Sequence, residues 1–107
     1  MDQRQTDLSL KQILDFLNNG SSYPDCLLLN ELGLICRNGQ DEDETGEKYL
    51  LSTLEDEDRS KRTIAFCCLS LVPGAKEKHA TALADFRNKP ENKESLSFID
   101  RSLARYN

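Results

Sequence analysis

Apolar residues, leucine foremost, recur at helical spacing in six short stretches, each cut off from the next by Gly, Pro or a cluster of acids. That spacing is the signature of helices with one apolar face. The alternative to helices is closed by residue type. Seventeen Leu stand against four Ile and one Val, with no Trp and seven Phe plus Tyr, whereas a sheet core draws on β-branched and aromatic side chains. At 107 residues the chain makes one domain, and 37% apolar content is too much for a disordered tail. No apolar run reaches the roughly 18 residues of a membrane span. The opening Met1-Asp2-Gln3-Arg4-Gln5 lacks the basic-then-apolar layout of a secretory signal. The expectation is a single all-α domain over 1–107, soluble, monomeric and cytoplasmic.

Local signals place six helices. Thr6 or Asp7 can cap the first, whose stripe is Leu10, Ile13, Leu14 and Leu17, and Gly20 suits the left-handed residue beyond its end. Pro24 opens the second as its first helical residue, with Leu27, Leu28, Leu32 and Ile35 following before Asn38-Gly39 stops it. The third covers about 44–54 and the fourth about 59–72, with Ile64, Ala65, Cys68, Leu69 and Val72 on its stripe. Pro73-Gly74 precedes a fifth over 75–87, anchored by Leu83 and Phe86. Pro90 opens the sixth, whose stripe is Leu96, Ile99 and Leu103, with acids early and Arg101 and Arg105 late, as the helix dipole favours.

The six helices fall into repeating pairs. A slide of 37 residues lays Ile13, Leu14 and Leu17 on Leu50, Leu51 and Leu54, and Leu32 and Ile35 on Leu69 and Val72. A further slide of 32 lays Ile64 on Leu96, Phe66 on Phe98 and Leu71 on Leu103, but sets Leu69 against Arg101. The repeats are then about 8–38, 44–72 and 75–106. Within the middle one, Leu50-Leu51, the Asp56-Glu57-Asp58 turn, Arg62, the small Ala65 and the closing Leu69 together resemble a HEAT repeat. Asp58 can accept from the free N–H groups of the next helix, and it stands four residues before Arg62, where helix side chains meet. The resemblance implies three stacked helix pairs, a short α-solenoid, and a role as a protein-binding scaffold. The first and third units depart from the motif, with Asp25 and Glu94 where the Arg would stand. The alternative arrangement is a compact six-helix bundle.

Charge is unevenly spread along the chain. Residues 1–40 carry a net −2, residues 41–58 hold nine acids against Lys48 alone, and residues 59–107 carry ten bases against five acids. Such blocks mark a partner surface, or else two signs that neutralise each other across packed helices. The acids Asp41, Glu42, Asp43 and Glu44 precede the third helix, about a dozen residues and roughly 18 Å from those that follow it, so the two clusters do not make one patch. Asp41–Glu44 is the better candidate for meeting a basic partner, because Glu55–Asp58 is accounted for as a turn and cap.

Side chains able to do chemistry are sparse. Cys26, Cys36, Cys67 and Cys68 lack zinc-ligand spacing and read as buried structural thiols, with Cys36 and Cys67 or Cys68 as the conceivable redox pair. His79 is the single histidine and sits in a polar stretch, the pattern of a surface residue. Neither a nucleophile elbow nor a phosphate-binding loop is present. No catalytic residue, cofactor or metal is expected. The sequence therefore points to a non-catalytic interaction or adaptor module. Its partner surface is expected on the exposed side of the second helices, 24–37, 59–72 and 91–106, through Arg59, Lys61, Arg62 and Arg101, with Asp41–Glu44 as a separate acidic edge. Arg62 could instead be structural, tied to Asp58. Two other roles compete. One is a small acidic inhibitor or immunity-type protein that masks a basic partner. The other is a nucleic-acid accessory protein using the basic half, disfavoured because acids interleave those bases and Tyr106 alone offers no stacking platform.

Overall fold

The computed structural model describes residues 4–105, so Tyr106, the last residue of the third repeat, lies outside it. Every regular element among the described residues is helical. They are α1 (Leu10–Asn19), α2 (Asp25–Arg37), α3 (Thr45–Thr53), α4 (Arg59–Leu71), α5 (Ala75–Lys78), α6 (Ala80–Asn88) and α7 (Lys93–Ala104), with single 3-10 turns at Glu42–Glu44 and Pro90–Asn92. They fold into a globule of 34 × 26 × 24 Å. No helix among the described residues is long and apolar enough to cross a membrane.

Among the described residues seven helices replace the expected six, because the fifth is broken at His79, whose φ of −116° and ψ of 27° leave the helical region. The bend follows from what the two pieces must bury. Gly74 turns the chain with a φ of 80°, which lets Ala75 bury against α4 at once. Leu83 and Phe86 are buried on α6 beyond the bend. The start of α1 also differs. Ser9, not Thr6 or Asp7, is the cap, forming a reciprocal pair with Gln12. Thr6 is engaged elsewhere, and Pro24 sits one position before α2 rather than inside it.

Helix α4 is central, packing against α2, α3, α5 and α7. Its inner face sets Ala65, Phe66 and Leu69 among Leu28, Leu29 and Leu32 of α2, Leu50 of α3, Phe86 of α6 and Ile99 of α7, all buried. Phe66 and Phe86 stack with ring centroids 4.6 Å apart, fixing α6 on α4. The closest approach of α2 and α4 lies at Gly33, where an added Cβ would stand 2.4 Å from the Sγ and 2.8 Å from the Cβ of Cys68. Ala65, expected to permit the close contact, is fully buried, but Gly33 is the residue whose lack of a side chain sets the spacing.

Glu31 anchors the segment before α1. On α2 it is 1% exposed, and its carboxylate accepts from Arg4 Nε at 2.9 Å, the Gln5 N–H at 3.1 Å, the Thr6 N–H at 2.9 Å and the Thr6 hydroxyl. Burial opposes ionisation, but those donors outweigh it and hold the carboxyl below its ordinary 4.5. A carboxyl depressed in the folded state stabilises at pH above its unfolded value and loses that stabilisation as pH falls through the folded one.

Two predictions follow from this packing. Gly33→Ala is expected to destabilise by about 1–3 kcal/mol through overpacking, despite a gain in helix propensity of about 0.5–1 kcal/mol; urea unfolding that shows equal or greater stability would refute the close approach. Stability of the wild type should decline as pH falls below about 4.5. Glu31→Gln, which turns amide donors toward existing donors, should be less stable at neutral pH by about 1–3 kcal/mol and decline less with acid. Parallel pH curves for the two proteins would remove Glu31 from that role.

Candidate functional site

The first two turns of α2, α4 and α7 meet around an open groove of about 540 Å³. Cys26 comes from α2, Ser60, Thr63 and Ile64 from α4, and Ser95 and Phe98 from α7. Short side chains keep the floor low, and Phe98 stands over it at 60% exposure, the most exposed large apolar residue among those described. Arg59 and Glu94 join across the groove at 2.7 Å, both well exposed at 58% and 83% of their side chains. A pair so exposed contributes about 0–1 kcal/mol. Beside it, Lys61 pairs with Asp25 at 2.8 Å.

The expected partner-surface residues thus separate into distinct settings. Arg59 lines the groove, and Lys61 stands beside it in its own pair. Arg101 is exposed on α7, three residues past Phe98 and so on the same side of the helix. Arg62 is 7% exposed. Its Nε donates to Asn92 Oδ1 at 3.0 Å, and a second nitrogen donates to the carbonyls of Asp56 and Glu57 at 2.9 and 3.0 Å. It is structural, but not through Asp58, whose carboxylate accepts from the N–H groups of Ser60 and Lys61 as the cap of α4.

Of the acidic edge, Asp41 turns inward. Its two oxygens accept from the N–H groups of Gly46 and Glu47 at 2.7 and 2.9 Å, closing the start of α3, and the Cys36 thiol stands 3.5 Å from one of them. Gly46 is required there, since a Cβ would come within 2.8–3.0 Å of Leu32, Cys36 and Asp41 itself. Glu42 and Asp43 face solvent, and Glu44 holds Lys78. Asp43 and Glu44 adopt φ of 56° and 57°, left-handed values uncommon for residues other than Gly.

The charge blocks neutralise one another. Lys89 grips Glu55 at 2.6 Å, Lys78 reaches Glu44 and Glu47, and Lys61 pairs with Asp25, whereas Arg59 and Glu94 pair within the C-terminal block. His79 is not a free surface residue: its side chain is 13% exposed and its Nε2 lies 2.6 Å from the carboxylate of buried Glu47. Burial opposes ionisation of Glu47, but hydrogen bonds from His79 and Lys78 outweigh it and hold the carboxyl below 4.5. Among the described residues no group of three His, Cys, Asp or Glu is placed to hold a metal ion.

Phe98 escapes the 32-residue slide, which lays it on Phe66. Phe66 is 3% exposed and Phe98 60%, so the two are not equivalent. A signal was present: Phe98 lies about 100° around the helix from Ile99 and outside the stripe of Leu96, Ile99 and Leu103. No comparable local signal marks Glu31 or Asn92, whose burial depends on segments distant in sequence.

All four cysteines are free. Burial pushes the Cys67 thiol up to about 11 and Cys68 to about 12, and Cys36 is raised further by burial and by Asp41. In the native protein at pH 8, Cys36, Cys67 and Cys68 are expected to react with a thiol-specific disulfide reagent at least about a hundredfold more slowly than free cysteine, on thiolate fraction alone, and all four to react at once in urea. Rapid native modification of Cys68 would contradict that placement. No family model matches the chain, and no curated protein or solved structure matches it either.

Proposed function

We propose that this chain is a non-catalytic, HEAT-like protein-interaction module of the cytoplasm, and that a partner docks on the side where α2, α4 and α7 meet. The observation that carries the reading is Phe98, an aromatic ring 60% exposed over a groove built from three helices. Aromatic side chains are among the anchors that carry binding energy at protein interfaces, and this one stands over a groove rather than on open surface. The HEAT-like stacking of pairs has support of its own. The second helix of each unit packs against that of the next, α2 on α4 and α4 on α7. Pairs of opposite charge between units join residues 31 to 36 apart in sequence, near the 32- and 37-residue periods of the repeats. The free thiols fit a reducing compartment. An acidic face for a basic partner has less support, because Asp41 closes α3 and Glu44 and Glu55 are held by lysines.

The test is affinity capture from cells of the source with the tagged wild type and with Phe98→Ala, washed at low and moderate salt. A discrete protein held by the wild type and lost from the variant is the expected result. Recovery of nucleic acid that salt removes, or of no protein above the untagged control, would overturn the reading.

A further inference from the structure

The charges around Phe98 go further than the groove itself, because they state what kind of partner suits it. Inside the groove the two ions cancel, Arg59 against Glu94, and the neighbouring Lys61 is cancelled by Asp25. Along α7 the balance changes. Arg101 and Arg105 follow Phe98 by three and seven residues, so they lie on its side of the helix one and two turns on. Both are exposed, and no described residue pairs with either. The acids of α7 are committed elsewhere: Glu94 to Arg59, and Asp100, on the other side of the helix, to Arg87 at 2.9 Å. The carbonyl end of α7 contributes about half a negative charge against two whole positive ones. Among the described residues the uncompensated charge beside the exposed ring is therefore positive, although the chain as a whole is acidic. Screening over about 8 Å at physiological salt makes this local balance the one a docked segment meets.

We propose that the groove receives an acidic amphipathic helix of a partner protein, its apolar anchor seated between Phe98 and Ile64 and its carboxylates set against Arg101 and Arg105. This rests on the interaction reading above and narrows it. Along a helix, Phe98 to Arg101 spans about 4.5 Å and Phe98 to Arg105 about 10.5 Å at 1.5 Å per residue. The matching partner thus carries an aliphatic or aromatic residue with Asp or Glu three or four, and seven, residues away on one face. The exposed Arg59–Glu94 pair can open to admit such a segment at small cost.

The experiment is selection of a random 16-residue displayed peptide library on the folded wild-type protein, with counter-selection on Phe98→Ala. Fluorescence polarisation of the enriched peptides follows, with circular dichroism to confirm that each variant folds. Enriched peptides are expected to pair an apolar anchor with carboxylates. They should lose about tenfold or more in affinity both on Phe98→Ala and on the double reversal Arg101→Glu, Arg105→Glu. Because both positions are exposed, neither change touches the core. Phe98-dependent peptides that are basic or uncharged would overturn the acidic assignment and leave the interaction reading standing. Absence of any Phe98-dependent peptide would overturn both.

Discussion

A single buried guanidinium holds the second half of the fold in place. Arg62 enters α4 in its first turn and donates backward to the carbonyls of Asp56 and Glu57, and forward to Asn92, which is fully buried. Asn92 in turn donates to the Phe86 carbonyl at 2.9 Å, near the end of α6. One cation therefore joins the turn before α4 to the turn before α7. Removing a charge from water costs several kcal/mol unless its donors are met, and the planar five-donor fork of Arg allows three acceptors to be met at once. A lysine offers no such fork. The arrangement also decides where α7 begins. With Asn92 fixed, Glu94 and Phe98 fall opposite Arg59 and Ile64, and the groove exists because of that register.

Much of this was legible in the sequence because it is local. The helix spacing, the stops at Gly20 and Asn38-Gly39, and the Asp58 cap depend on residues within a turn or two of each other. What was not legible is long-range. Arg62 had an acid at the favoured spacing, yet its side-chain partner lies 30 residues on, because Asp58 is already accepting from two backbone N–H groups. Glu31 sits on a helix rich in Leu and carries no mark of burial. It is inside because Arg4, Gln5 and Thr6 fold over it, 25 to 27 residues earlier in the chain. Asp41 and Glu42 are neighbours of one charge, and only the path of the chain turns one toward α3 and the other to water.

The division of the chain into acidic and basic blocks shows the same limit in electrostatic form. Counting by segment gives opposing fields, but folding brings Glu55 to Lys89 and Glu44 to Lys78 across 34 residues each. Exposed pairs of this kind contribute little to stability. Their larger effect is to remove charge from the surface a partner would sense. The most distinctive member of the candidate face is an aromatic ring, and on its side of α7 stand Arg101 and Arg105, unpaired among the described residues.

Depth therefore sorts the polar groups by what they can do. Arg62, Asn92 and Glu31 are buried with their hydrogen bonds met, and exchanging any of those bonds for a partner's would leave a desolvated group behind. Gly33 against Cys68 adds a steric lock between α2 and α4 that no surface event can loosen gradually. Arg59, Glu94, Arg101 and Arg105 are in water already, so a docking segment can take over their interactions without disturbing the core. On the proposed reading, recognition would be confined to a shell one side chain deep, over an interior that fixes its geometry. A partner would then be chosen by fit to a groove whose floor is preformed, with only the exposed Arg59–Glu94 pair opening to admit it, so that little ordering is lost on binding.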